Sequence, residues 1–147
     1  METLEMALRL GMAALAGAAL GLNRDLHHKV TGVRTLGLVG VGSCIVVLSV
    51  VHLGVGDATR VIQGVVTGVG FLGAGVIIRS ENGKQVHGLT TAACVWLTAS
   101  IGAACGVSEW RLIFMSVPIV FAILVFGGRF EKWFHRQWPE PAEPEGK

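Results

Sequence analysis

The stretch that decides the fold runs from Val61 to Ile78 and reads VIQGVVTGVGFLGAGVII. It has 18 residues, five of them glycine and none of them charged. An apolar run of about 18 residues is long enough to span a bilayer. A glycine costs a water-soluble helix about 1 kcal/mol relative to alanine, whereas in a membrane it lets neighbouring helices approach closely. The stretch therefore predicts a tightly packed transmembrane helix at the centre of a bundle.

Four further apolar runs of 17 to 20 residues flank this stretch, at residues 4–22, 36–55, 88–107 and 110–126. Only 15% of the 147 residues are charged, against about 25% in an average soluble domain. Five such runs exceed what a globule of this size can bury, which disfavours a soluble all-α protein. We predict an all-α, polytopic membrane bundle of about five transmembrane helices over residues 1–128.

The distribution of basic residues predicts the orientation of the bundle. Loops 23–35 and 79–87 and the C-terminal segment hold nine Lys and Arg residues, and the other side has only Arg60 and Arg111. The positive-inside rule then predicts an external N-terminus and a cytoplasmic C-terminus. Residues 129–147 begin with a basic, aromatic segment and end in a Pro/Glu-rich one, which predicts a short cytoplasmic interfacial helix and a disordered tail.

Small residues predict where the helices pack. The first span has them at every fourth position, the third has glycine on two opposite faces, and the fourth has a face of Thr, Cys and Gly. Glycine on both faces predicts a central third helix, and the pattern leaves open whether that helix is continuous or broken. The face on the fourth span is interpreted as packing, with the lining of a permeation path as the alternative. The predicted packing residues are Ala13, Gly17, Gly21, Gly64, Gly68, Gly70, Gly73, Gly75, Thr98 and Gly102.

Polar residues gather around the predicted cytoplasmic ends of the helices. An ordinary solvated loop is one explanation for those in loop 23–35, and a functional cluster with the other short loop is the second. Thr90 is predicted to be the N-cap of the fourth helix. Arg9 lies within the first span, so together with Glu5 it either snorkels to the outer surface or forms a polar site inside the bundle. The candidate functional set is Asn23, Arg24, Asp25, Arg34, Thr35, Arg60, Arg79, Thr90 and Thr91.

Other kinds of chemistry have weak support. Residues 68–73 match GxGxxG but lack the preceding strand and the acidic residue that a dinucleotide site requires. Asp25 with the adjacent His27 and His28 is a weak metal pattern, so the metal site stays unassigned and no cofactor is predicted. No arrangement of catalytic residues is visible, and we expect neither an enzyme nor a nucleic-acid partner.

Four sequence blocks carry a resemblance to a known family. They are the glycine pair 17 and 21 followed by Asn23-Arg24, GVRT at 32–35, Arg60 together with GVGFLGAGVI at 68–77, and GLTTAA at 88–93 with Trp96. In order and spacing, residues 10–106 resemble the MgtC/SapB family of bacterial inner-membrane proteins. The resemblance implies a multi-pass domain of four or five helices. It also implies roles in growth at low magnesium, in stress or virulence adaptation, and in modulating membrane proteins such as the ATP synthase.

The chain departs from the family pattern at two positions. Relatives usually have Glu where this chain has Asn23, and a polar residue where it has Gly64. An ion site built from those side chains would be weaker or different here. Relatives also often carry a cytoplasmic ACT-like domain. We expect a non-enzymatic modulator that works by helix–helix contact within a homo-oligomer or with a partner. The alternative is a small oligomeric transporter or channel for Mg²⁺ or another ion.

Overall fold

The computed structural model describes residues 2–54, 56–79 and 86–137 and is built almost entirely from helices. The five helices are α1 (Thr3–Leu26), α2 (Val33–Leu53), α3 (Ala58–Val76), α4 (Leu89–Gly106) and α5 (Trp110–Gln137). Between α3 and α4, the two-residue strands β1 (Ile78–Arg79) and β2 (Val86–His87) pair antiparallel. Each helix contains a segment long and apolar enough to cross a membrane, which confirms the predicted all-α fold with five spans.

Local hydrogen bonds set the helix boundaries. The carboxylate of Asp25 accepts the backbone N–H of Val33 at 2.9 Å and so satisfies one free donor at the start of α2. Asp57 is the N-cap of α3, and its Oδ1 accepts the N–H of Thr59 at 2.8 Å. From that cap α3 runs without interruption to Val76, so the question of a broken third helix is answered in favour of a continuous one.

The core of the bundle is formed by α1, α2 and α4, with α4 at its centre. In the membrane-spanning window of α4, 56% of the residues are buried, against 11% in α3 and in α5. The prediction of a central α3 is therefore wrong within the protomer. The physical reason is that glycine allows a neighbouring helix to come close but contributes no side chain that packs against it. On α4, by contrast, buried side chains pack against neighbours on several sides of the helix, among them Cys94, Val95, Thr98 and Ala99.

Glycines bring the backbones of the core helices into contact. A Cβ atom built on Gly17 would lie 2.5 Å from the carbonyl oxygen of Leu36, and one on Gly21 would lie 2.5 Å from Cα of Val33. A Cβ on Gly40 would lie 2.7 Å from the carbonyl oxygen of Ala13. These distances leave no room for a methyl group, so α1 and α2 are held at a separation that only glycine allows.

The fifth helix is longer than a membrane span. Its 28 residues extend about 42 Å, beyond the roughly 30 Å hydrocarbon core. Residues 129–137, for which a short interfacial helix was predicted, continue α5 without a break. Phe130 contacts Trp133 and Phe134 there, with ring centroids 5.8 and 6.5 Å apart. The predicted disordered tail, residues 138–147, lies outside the described residues.

Candidate functional site

The polar residues of the candidate set lie at two opposite ends of the bundle. We call the end that holds the C-termini of α1 and α3 and the N-termini of α2 and α4 the basic end. Eight of the nine candidate residues lie there, but Arg60 lies in the first turn of α3 at the other end. The 19-residue α3 separates the two ends by about 28 Å, so Arg60 cannot join the cluster.

A buried contact between α1 and α4 forms the centre of the basic end. Arg24, in the last turn of α1, is only 6% exposed, and its Nη2 donates a hydrogen bond of 2.8 Å to Oγ1 of Thr91 in the first turn of α4. The Nε of Arg24 is also buried and has no acceptor. Among the residues that the structure describes, the only side-chain ion pair joins Arg9 and Glu5. Arg24 is therefore a buried cation with a neutral hydroxyl as its partner.

The turn after α1 places two more basic side chains beside Arg24. His28 has a left-handed backbone, with φ of +51°. The N–H of Lys29 donates to the carbonyl of Arg24, and the N–H of His28 to that of Asp25, each at 3.0 Å. This pair of bonds is a Schellman motif, which closes a helix C-terminus and turns the chain back. His28 and Lys29 are thereby fixed at the wall of the same cleft as Arg24.

The cleft at the basic end opens onto the N-terminus of α4 and has a volume of about 510 Å³. Gly88 is the N-cap of α4, so the prediction that Thr90 caps this helix is wrong. Gly88 has a left-handed φ of +94°, and a Cβ there would collide with the carbonyl oxygen of Val76. The first bond of α4 goes from the N–H of Ala92 to Gly88, which leaves the earlier N–H groups of the helix without intrahelical acceptors. We call this the basic cleft; it is lined by Arg24, His28, Lys29, Val30, Val76, Val86, His87, Gly88, Leu89, Thr90 and Thr91.

The other candidate residues at this end have different surroundings. Asp25 is exposed and its carboxylate accepts the N–H of Val33 at the start of α2, whereas Asn23 is buried. Arg34 and Thr35 are exposed in the first turn of α2, outside the lining of the basic cleft. Arg79 is in β1, opposite Val86, and its side chain lies outside what the structure describes. Within the described ranges, no three His, Cys, Asp or Glu side chains gather as a metal site would require.

Arg9 forms a second buried polar site, at the opposite end of the bundle. It is 6% exposed, and its Nη1 donates to the carbonyl oxygen of Gly106 at 2.7 Å, while Nη2 pairs with Glu5. The structure therefore favours the polar site inside the bundle over snorkelling. Gly106 is the last residue of α4, where a cation stabilises the negative end of the helix dipole. Sequence reasoning missed Gly106, because a backbone carbonyl carries no side-chain signal.

The predicted packing residues divide between covered and open positions. Of those in α1 and α4, Ala13, Gly17, Gly21, Thr98 and Gly102 are all buried, and Thr98 also donates to the carbonyl of Cys94 at 2.7 Å. Gly73 is buried against Ala92 of α4. The remaining four glycines of α3 would meet no atom within 4 Å if a Cβ were added, so they do not pack inside the protomer: Gly64, Gly68, Gly70 and Gly75.

An apolar groove of about 430 Å³ runs between α2 and α3 on the outside of the bundle. Its floor includes Gly42 of α2 and Gly64 and Gly68 of α3, all of which are exposed. We call this surface the glycine groove; it is lined by Leu38, Val39, Gly42, Ser43, Val46, Gly64, Val65, Gly68, Val69 and Leu72.

Fold and sites together define a multi-pass membrane protein with one buried arginine near each end of its helical core. Residues 10–133 match the model of the MgtC family, and the chain belongs to this family, as its sequence blocks predicted. It is 36% identical to protein SrpB of Synechococcus elongatus, over 93% of this chain and 84% of SrpB. It is 40% identical to the putative magnesium transporter YhiD of Escherichia coli, over 84% of this chain and 61% of YhiD.

A third relative is protein MgtC of Salmonella typhimurium, which is 39% identical over 71% of this chain and 44% of MgtC. The chain thus spans most of SrpB but less than two thirds of YhiD and MgtC. No solved structure matches the chain.

Proposed function

We propose that this protein is a non-enzymatic modulator of Mg²⁺ homeostasis in the bacterial inner membrane, with its basic end in the cytoplasm. It acts through helix–helix contacts, first of all with a second copy of itself. Membership of the MgtC family and the name of the YhiD relative support the connection with magnesium. The distribution of Lys and Arg supports the orientation.

The glycine groove is the observation that carries the proposal. Gly64 and Gly68 are four residues apart on α3, and nothing in the protomer lies within 4 Å of where their Cβ atoms would be. In the membrane, helix association depends on close backbone approach at such small-xxx-small pairs. The protomer uses its other close-approach glycines, such as Gly17 and Gly21, to join α1 to α2. The α3 pair is the equivalent surface without a partner inside the protomer.

A second copy of the chain is the occupant that this geometry favours. A two-fold interface uses the same patch on both subunits, so a GxxxG pair supplies close approach from both sides at once. The lining is almost wholly aliphatic and contains no charged side chain that would call for a complementary partner. In a dimer, α3 of each protomer would lie in the glycine groove of the other, with Leu72 one helical turn beyond Gly68.

A matched pair of variants on α3 tests the proposal. Gly68→Leu fills the glycine groove, whereas Gly70→Leu adds the same side chain outside its lining. We expect both variants to fold, because a Cβ at either position meets nothing within 4 Å, and their levels in the membrane are compared with that of the wild type. In a bacterial strain from which the gene for this protein has been deleted, we expect Gly70→Leu to restore growth at low magnesium. We expect Gly68→Leu to fail to restore growth. Equal growth of the two variants would contradict a functional role for the groove.

The alternative is a small oligomeric transporter or channel for Mg²⁺ or another ion, which the name of YhiD favours. Among the described residues, however, the buried charged side chains are two arginines, Arg9 and Arg24. A hard cation such as Mg²⁺ requires oxygen ligands, and a guanidinium repels it. In proteoliposomes we therefore expect Mg²⁺ flux no faster than in protein-free vesicles. Faster flux that Gly68→Leu abolishes would establish the transporter instead.

A further inference from the structure

We propose that the basic cleft binds a phosphate group, carried either by an anionic lipid headgroup or by free inorganic phosphate. This site goes beyond the proposed function and does not depend on it, because the cleft and the glycine groove have no lining residue in common.

The first observation is the unbalanced charge of Arg24. Removing a guanidinium from water is costly unless an anion and a full set of hydrogen bonds compensate for it. Arg24 is 6% exposed, lines the cleft and donates to the neutral hydroxyl of Thr91, while its Nε has no acceptor. The adjacent carboxylate of Asp25 is directed to the N–H of Val33 instead. An anion in the cleft would supply the missing counter-charge.

The second observation is the start of α4, which forms one wall of the cleft. This 18-residue helix begins at Leu89, and its first N–H groups carry the positive end of the helix dipole. Gly88 lets the chain enter the helix with a left-handed backbone and contributes no side chain to cover those groups. The exposed Thr90 adds a hydroxyl beside them. Helix N-termini with free N–H groups are common phosphate sites.

The remaining lining residues favour a negatively charged ligand and indicate where that ligand lies. Lys29, His28 and His87 line the cleft, and no Asp or Glu is among its described lining residues. Val30 and Leu89 add exposed apolar side chains. Basic pockets at the ends of transmembrane helices suit lipid phosphates, whose acyl chains need such an apolar border. The volume of about 510 Å³ accommodates a phosphodiester headgroup as well as a free phosphate.

The test measures binding to the full chain in dodecyl maltoside, whose headgroup is uncharged. Inorganic phosphate and short-chain phosphatidylglycerol are titrated separately, and the midpoint of thermal unfolding is followed. Lys29→Gln removes a cation from the cleft without changing Arg24 or Thr91, so we expect this variant to fold. Loss of one charge-assisted hydrogen bond should raise the apparent Kd by about tenfold or more. Arg34→Gln is the control, since it removes the same charge from an exposed position at the same end.

The outcomes separate the two sources of phosphate. Stabilisation by phosphatidylglycerol alone, weakened by Lys29→Gln only, identifies a lipid headgroup site. Stabilisation by inorganic phosphate with the same dependence identifies a site for the free anion, and a response to both supports the shared phosphate chemistry. A wild-type protein that responds to neither probe overturns the proposal. An equal loss of binding in Lys29→Gln and Arg34→Gln also overturns it, because the effect would then be one of general surface charge.

Discussion

Replacing Gly17 by alanine is the sharpest perturbation of the core. The added Cβ would lie 2.5 Å from the carbonyl oxygen of Leu36 and 2.9 Å from its carbon, where ordinary contacts begin at 3.4 Å. Both atoms belong to the backbone of α2 and cannot rotate away, so α1 and α2 must separate by roughly 1 Å. A gap of 0.5–1 Å forfeits about a quarter to a half of the dispersion energy of each atom pair.

The expected magnitude follows from two opposing effects. Overpacking a tight contact costs about 1–3 kcal/mol, and this contact belongs at the upper end because backbone atoms form it. Alanine returns up to about 1 kcal/mol through its higher helix propensity. We therefore expect Gly17→Ala to lower the free energy of unfolding by about 2 kcal/mol.

The assay is reversible unfolding in mixed micelles with increasing sodium dodecyl sulfate, followed by circular dichroism. Gly11→Ala is the matched control on the same helix, because a Cβ at Gly11 meets nothing within 4 Å. The control should change stability by between zero and about 1 kcal/mol in the stabilising direction. If Gly17→Ala is as stable as Gly11→Ala, the backbone contact between α1 and α2 does not hold the core together and the reasoning is refuted.

Three further predictions use the same unfolding assay. Gly88→Ala should lower the free energy of unfolding by at least about 2 kcal/mol, because a φ of +94° disfavours any side chain and the added Cβ would meet the carbonyl of Val76. A variant that unfolds at the same detergent fraction as the wild type would contradict this. Arg9→Met removes the hydrogen bond to the carbonyl of Gly106 and should lower the free energy of unfolding by about 2 kcal/mol. Adding Glu5→Gln to Arg9→Met should lower it little further, because Glu5 has then already lost its ion-pair partner. Ser108→Gly should raise the free energy of unfolding by about 0.5–1 kcal/mol, because Ser108 has a φ of +63° and a buried hydroxyl without a hydrogen-bond partner. A destabilised variant would show that this hydroxyl does form a hydrogen bond.

The number and approximate limits of the helices could be predicted from sequence because they depend on local quantities. Apolar runs of 17 to 20 residues must form helices in lipid, where every backbone group needs an internal partner. The end of α5 was missed because the apolar run stops at Phe126 and the basic, aromatic residues from Arg129 onward were assigned to an interfacial helix. In the structure the backbone bonding continues through them to Gln137.

The packing order could not be predicted, because it depends on which surfaces match. The five glycines of the decisive stretch suggested the centre, yet the central helix is α4, whose Gly102 meets Gly40 of α2. The role of Gly40 in packing cannot be predicted from its own surroundings in the sequence, because its contact Gly102 lies 62 positions further along the chain. A count of glycines shows where helices are able to approach, and the glycine groove shows that such a surface can remain open in the protomer.

The candidate site was predictable in composition but not in geometry. Alternating spans placed Arg24 and Thr91 at one end, although 67 residues separate them. The basic cleft depends on the left-handed turn at His28 and on Gly88 as the N-cap, and neither follows from a residue pattern. Arg34 belongs to the same charge cluster in sequence but lies outside the cleft, because the first turn of α2 leaves it exposed.

The central claim is that the glycine groove is covered by a second copy of the chain, and cross-linking in native membranes tests it most directly. The native cysteines are fully buried, so only a cysteine introduced on the surface reacts with the cross-linker; the native ones are Cys44, Cys94 and Cys105. Leu72→Cys lies in the groove, and Phe114→Cys, on the exposed face of α5, is the control. With a short bis-maleimide we expect most of the Leu72→Cys protein to run as a dimer and the Phe114→Cys protein to remain monomeric. Equal dimer yields from the two positions would contradict the claim.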